Sequence, residues 1–191
     1  MGKKINYSNL KILKAKRLVG KTLIFRNVET SDVNFILSLR TDSEKSKYLN
    51  KTSSDVSRQV AWLENYTNKD EEAYFIIENK NGLSLGTIRI YDARGDSFCW
   101  GSWILKDGVP ISTAIESALM MYSYSFEHLG FKRAHLDMRK GNESVRRFHE
   151  FCGAWQVGET DIDYLYEIDF EKFIELRTKT SMHLNELRID R

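Results

Sequence analysis

Proline is almost absent from this chain. Its single representative, Pro110, fixes one φ and removes one backbone donor in the middle of one loop. Cysteine is nearly as scarce: Cys99 and Cys152 are far apart and match no metal-ligand spacing, which argues against a disulfide-dense secreted scaffold. Nowhere do about 18 apolar residues run together, so no membrane span is expected. Neither sign of charge dominates. With 29 Lys and Arg against 27 Asp and Glu the net charge is +2, which gives no whole-molecule reason to expect a nucleic-acid partner. Repeats and low-complexity linkers are missing. So are G-x-G-x-x-G and Walker A motifs, and dinucleotide and P-loop functions lose their main signal with them.

What is present suits a globular fold. Hydrophobic residues make up 41% and aromatics 12% of 191 residues, enough for one domain with a sizeable core. The first stretch, MGKKINYSNLKILKAKR, is basic but has no apolar run, so it does not read as a signal peptide. Asn6 breaks the myristoylation pattern that Gly2 would begin. A cytoplasmic protein is expected. Its divisions are a basic segment over 1–20, a catalytic-sized unit over 21–170 and a helical, then frayed, tail over 171–191.

Periodicity sets the elements. KTLIFRNV (Lys21–Val28) reads as a strand, and Val33, Ile36, Leu37 and Leu39 mark a helix capped by Thr30 or Ser31. Val56, Val60 and Leu63 fall at i, i+4, i+7 of a second helix. Ala73–Asn79 and Leu85–Asp92 are strands joined by a turn at NKNG, and ARGD (Ala93–Asp96) turns into a third, Ser97–Lys106. Arg94-Gly95-Asp96 resembles an adhesion signal but suits plain turn chemistry. Ile115, Leu119, Tyr122 and Phe126 define a helix from about Ala114 to His128, stopped by Gly130. A strand at Arg133–Lys140, a helix capped by Asn142 and stopped by Gly153, and two further strands complete the order β-α-α-β-β-β-α-β-α-β-β. Three hairpin-linked strands followed by strand–helix units predict a mixed α/β sheet, not a doubly wound one, with helices on both faces.

Four constellations can carry chemistry. In ILKDGVPISTAIESALMM a strand breaks at Lys106-Asp107-Gly108 before a helix start. Thr113 and Glu116 have capping-box spacing, which places that start near Ala114. The amides from about Val109 to Ala114 then either hold an anion or leave the helix end to Thr113 and Glu116. Arg139, Lys140, Arg146 and Arg147 gather positive charge beside a second helix start, as an anion site or as a solvated face. His149 has the side chain suited to give or take a proton near neutral pH, and equally suits a structural place. Glu159, Asp161, Asp163, Glu167 and Asp169 form an acidic run; Asp161, Asp163 and Glu167 fall on one strand face that can attract an amine or simply face water.

The order of these pieces carries a resemblance. From about Thr22 to Asp169 the chain resembles the GCN5-related N-acetyltransferases (GNAT), particularly the branch with the ribosomal-protein acetyltransferases and sugar N-acyltransferases. TAIESALMMYSYSFEHLGFKRAHLDMRKGNESVRRFHEFCGA matches that family's cofactor helix, strand and Asn-led helix. Asn142 stands seven residues before His149 and eleven before Gly153, where the family holds an Asn, often a Tyr, and a Gly. The family's pyrophosphate loop, Gln/Arg-x-x-Gly-x-Gly/Ala, is replaced at its key positions by Asp107, Pro110 and Ser112, and Ala154 stands where an aromatic is usual.

The resemblance implies an acetyl-coenzyme A, or another short acyl-coenzyme A, as cofactor. Trp100–Lys106 would splay from Arg133–Arg139, with pantetheine along Trp103, Ile104 and Leu105. The pyrophosphate would meet Asp107, Gly108, Val109, Ser112 and Thr113. Asn142 would touch the cofactor arm, and Arg146 or Arg147 the adenosine phosphates. It further implies His149 as the acid that protonates the leaving thiolate; for the base the resemblance names no position, and a carboxylate such as Asp163 is the candidate. Trp100, Tyr91 and Tyr164 would stack on the acceptor. That acceptor is expected to be a small-molecule amine, the amino group of a nucleotide-linked sugar of surface polysaccharides. A peptide or ribosomal-protein amine, or acyl-coenzyme A binding without catalysis, are the other readings. A homodimer is expected from base rates. No metal is expected.

Overall fold

The computed structural model describes residues 10–184 and 186–191. The reading of Gly2 and Asn6, and most of the first basic stretch, lie outside the described residues. The elements are β1 (Arg17–Val19), β2 (Leu23–Asn27), α1 (Val33–Arg40), α2 (Val56–Thr67), β3 (Ala73–Asn79), β4 (Ser84–Arg94), β5 (Ser97–Leu105), α3 (Ile111–Ser123), β6 (Arg133–Arg139), α4 (Glu143–Phe151), β7 (Trp155–Glu159), β8 (Asp163–Asp169), α5 (Phe170–Lys179) and β9 (Arg188–Asp190). All nine strands form one sheet in the order β7-β8-β6-β5-β4-β3-β2-β1-β9. Every pair is antiparallel except β5 with β6. This is the mixed sheet expected from the sequence.

Two-residue alternation divides the side chains between the faces. On β3, Phe75 and Ile77 enter the larger core with α3 and α5, while Tyr74 and Ile76 enter the smaller core with α1 and α2. Phe25, Phe75, Phe98, Tyr122 and Phe173 are fully buried. Each such side chain stabilises the fold by roughly 1.5–3 kcal/mol of apolar burial. Helices therefore cover both faces.

Four local expectations change. First, Ala93 and Arg94 belong to β4, so the ARGD turn tightens to Gly95-Asp96, with Gly95 at φ 61. Second, α3 continues past Ser123 as a π turn over Tyr124–His128, closed by Leu129 N–H donating to Tyr124 C=O. Third, β1 and β9 pair with each other inside stretches read as basic segment and frayed tail. Fourth, α3 begins at Ile111, not near Ala114, and its cap position is Pro110. Glu116 does not fold back on the helix end. Its carboxylate accepts from the Thr22 amide at 2.7 Å, the Thr22 hydroxyl at 2.5 Å and the Leu23 amide at 3.1 Å, anchoring α3 to β2. Gly20 leaves room for that anchor: a Cβ there would stand 2.7 Å from the carboxylate and 2.5 Å from Met120 Sδ.

Candidate active site

The cleft is made where the sheet opens. β5 and β6 run parallel and pair only at Ser97 with Arg133 and Phe98 with Ala134, then diverge. Past that point the β6-facing edge of β5 has no neighbour. On its other edge β5 carries an extra residue against β4: Thr87 faces Ile104, yet Arg89 faces Gly101. This bulge puts Ser102 at φ 47, a conformation rare for a side chain larger than Gly, and interrupts the ladder at Ser102-Trp103. A cavity of about 320 Å³ fills the opening. Its walls are Trp100 to Trp103 of β5, Leu136 to Arg139 of β6, the start of α4, and a loop carrying Glu44, Lys45 and Tyr48.

The cleft contains polar atoms without partners. Trp100 and His149 are 4% and 5% exposed, with ring centroids 5.1 Å apart, and both face the cavity. Trp100 Nε1 and His149 Nδ1 have no hydrogen-bond partner among the described residues. A buried unpaired donor or acceptor costs about 1–3 kcal/mol; Trp100 Nε1 lies beside the buried Tyr122 hydroxyl, and His149 Nδ1 is left without a partner in the cleft wall. Trp103 Nε1, by contrast, donates to Ser117 Oγ at 3.2 Å, which fixes the indole between α3 and Phe148. Asn142 occupies the cap position of α4 without a cap bond and lines the cavity, its Oδ1 accepting from Ser144 Oγ at 3.3 Å.

A second polar feature lies beside the cleft. Thr113 N–H donates to Pro110 C=O, but the amides of Gly108, Val109, Ile111 and Ser112 have no backbone acceptor among the described residues. Gly108, at φ 76, turns the loop. Unpaired amides at the start of a 13-residue helix favour an anion. A splayed strand edge, orphaned polar atoms and an amide-rich helix start together fit an acyl-coenzyme A, with its arm along β5 and its phosphates at α3.

Comparison with known proteins agrees with this geometry. A family model described as acetyltransferase (GNAT) domain matches residues 22–154. The chain belongs to the GNAT acetyltransferases. It is similar to apo FdhC, a nucleotide-linked sugar GNAT, at 36% identity and TM-score 0.80, over 88% of this chain and 98% of that one. It is also similar in fold to spermidine N-acetyltransferase from Vibrio cholerae in complex with CoA and spermine (19% identity, TM-score 0.69, 80% and 98% covered). A GCN5-related N-acetyltransferase from Brucella melitensis is a further fold neighbour (14% identity, TM-score 0.72, 88% and 85% covered). No curated protein sequence matches the chain. GNAT acetyltransferases use acetyl-coenzyme A, so this chain is an N-acetyltransferase with that cofactor. Among the described residues no helix is long and apolar enough to cross a membrane.

The acetyltransferase does not gather every residue that its sequence nominates. Trp100, Trp103, Asn142 and His149 meet at the cleft. Ile104 and Leu105 continue the free β5 edge while pairing with Thr87 and Gly86 on the other side. Asp163 is not at the cleft: it faces Arg139 across β8 and β6 and pairs with it at 3.0 Å. The acidic run serves such pairs, with Glu167 3.7 Å from Arg133 and Glu159 3.4 Å from Lys140. Tyr91 lines a different cavity, beside Asp92 and Lys11. Tyr164 lies under Lys140, 5.4 Å from its ammonium. Arg146 is held by Glu143 at 2.6 Å and Glu150 at 2.7 Å, while Arg147 is exposed.

His149 also differs from its expected state. Burial lowers its pKa from 6.5 to about 4. It is neutral at pH 7, whereas the acid read from the sequence titrates near working pH. Sequence reading passed over three groups. Asp137 is a cleft carboxylate on β6, visible only as a polar position alternating with Leu136 and Met138. The bulge at Ser102 was signalled by Gly101 inside a strand pattern. Lys45 reaches Asp107 at 2.6 Å and Asp42 at 3.1 Å, linking the cleft loop to the loop before α3.

Proposed function

We propose that this N-acetyltransferase acetylates the amino group of a nucleotide-linked sugar. The observation that carries the reading is the 36% identity, over nearly the full length of both chains, to a nucleotide-linked sugar GNAT. Bound acetyl-coenzyme A supplies an activated acyl thioester. The residues of the chain do the rest. Main-chain N–H groups at the Ser102-Trp103 bulge are offered to the oxygen that gains negative charge during acyl transfer. The walls of the cleft hold the amine in line, and positioning of this kind supplies much of the rate. Amides from Gly108 to Ser112 hold phosphate, with Pro110 contributing none.

Proton transfer is reassigned. Asp137, a carboxylate on the rigid β6 wall, takes the amine proton directly or through water. His149, neutral and buried against Trp100, acts as a hydrogen-bonding and positioning group. Because the cleft opens to solvent, the departing thiolate can be protonated by water. The test is free-thiol release from acetyl-coenzyme A against a panel of amines. Turnover is expected with an aminosugar nucleotide. Turnover with peptides or spermidine alone would overturn the reading.

A further inference from the structure

A second cavity, of about 200 Å³, adjoins the cleft on the α1/α2 face of the sheet. The two cavities share Ser102. Arg40 of α1, Lys51 of the following loop and Arg89 of β4 line it, and no carboxylate does. Among the described residues Arg40 has no carboxylate partner. It is held by neutral oxygens, with Nε donating to Thr52 Oγ1 at 2.6 Å and Nη2 to the Asn50 carbonyl at 3.3 Å. Arg89 spends one guanidinium nitrogen on Glu72 at 3.1 Å, while its buried Nε has no partner among the described residues.

Neutral donors converge on the same space. Tyr74, 2% exposed, lines this cavity, and its buried hydroxyl, beside Arg40 and Thr87, makes no well-formed hydrogen bond among the described residues. Gln59 is 8% exposed, and its amide bonds to no described residue. A half-buried guanidinium without a counter-ion, beside a second guanidinium and an orphaned hydroxyl, is costly unless an anion completes it. Arginine's planar fork suits phosphate oxygens. Trp62, also at the wall, is stacked on Tyr66 and has the Arg89 guanidinium over its ring, 5.7 Å from the centroid.

We infer that this cavity is an anion subsite for the acceptor, in which Arg40, Arg89 and Lys51 hold the diphosphate of a nucleotide-linked substrate while its amine reaches the cleft past Ser102. The inference rests on the proposed function and adds to it the place and chemistry of the recognition. It also predicts selectivity against polyamines, whose positive charges these three side chains repel.

Phosphate can come from two sources, acceptor and coenzyme, and the experiment separates them. Uridine diphosphate, thymidine diphosphate and inorganic pyrophosphate are titrated by calorimetry into the full chain, alone and with saturating coenzyme A. Binding that persists with coenzyme A present supports a separate subsite; one-for-one competition overturns it. Lys51→Ala, at an exposed position, and Arg40→Lys, which keeps charge but not the fork, are each expected to weaken nucleoside diphosphate binding about tenfold. Coenzyme A affinity should not change in either variant, nor the melting temperature in Lys51→Ala. Equal diphosphate affinity in wild type and both variants sinks the subsite. The two proposals fail separately. Turnover of an aminosugar nucleotide with unchanged KM in the variants removes the subsite and leaves the function standing. Arg40-dependent diphosphate binding without sugar turnover does the reverse.

Discussion

His149 is the residue where chemistry and environment diverge most. Its position seven residues after Asn142 is visible in the sequence; its burial is not, because that depends on Trp100 of β5 packing against α4. The depressed pKa has a stability consequence of definite sign. Between 6.5 and about 4 the unfolded chain binds a proton that the folded chain refuses, so stability is present above 6.5 and is lost as pH falls through that window. Urea unfolding at pH 7 and pH 4.5 should lose about 2 kcal/mol more in the wild type than in His149→Phe. In catalysis, His149→Gln should lower kcat without moving either limb of the pH–rate profile between pH 6 and 9. A moved limb would return the imidazole to proton transfer. For the base, Asp137→Asn should lower kcat/KM for the amine by roughly 10²–10⁴-fold with coenzyme A affinity kept. The choice between Asp163 and Asp137 was not legible in the sequence. Both sit in alternating strands, and only the cross-strand Arg139 reveals that Asp163 is already paired.

Among the elements, α3 and the loop before it carry most of the account. Its amphipathic spacing was legible; its start was not. Thr113 and Glu116 have the spacing of a local cap, but Glu116 instead satisfies two amides and a hydroxyl of residues 94 and 93 positions earlier in the chain. Local spacing cannot register a partner that distant. Glu116→Ala leaves those donors unpaired and should destabilise the fold by about 1–3 kcal/mol in urea unfolding. The loop itself departs from the glycine-rich pattern of its family at Asp107, Pro110 and Ser112. Asp107 puts a carboxylate at the mouth of the proposed anion site, and Lys45 offsets it. The pair is exposed on the Asp107 side, so breaking it should change stability by no more than about 0.5 kcal/mol. Its effect should appear in binding: Lys45→Ala weakens coenzyme A binding severalfold at low salt, and Asp107→Asn in the same background restores it. Equal dissociation constants in all three proteins would remove the pair from cofactor binding.

At the level of the whole molecule, hairpin spacing and helix periodicity were enough for the mixed sheet and the helices on both faces, while the splayed strand pair came from the family resemblance. The sequence reading missed β1 and β9, each three residues long. Strands that short carry too little alternation to register, and their pairing joins segments some 170 positions apart. It also missed the cation cavity, because Arg40, Lys51 and Arg89 lie on three separate segments that meet only when α1 and α2 pack on the sheet. The acceptor is therefore the part of the function written in tertiary contacts, and the central claim is tested there. The most direct measurement is acetyl-coenzyme A turnover, followed by free thiol, against an aminosugar nucleotide, the same amino sugar without its nucleotide, a peptide amine and spermidine. The account predicts the highest kcat/KM for the nucleotide-linked sugar and a large loss when the nucleotide is removed. Equal rates with and without the nucleotide, or a preference for peptide or polyamine, would contradict it.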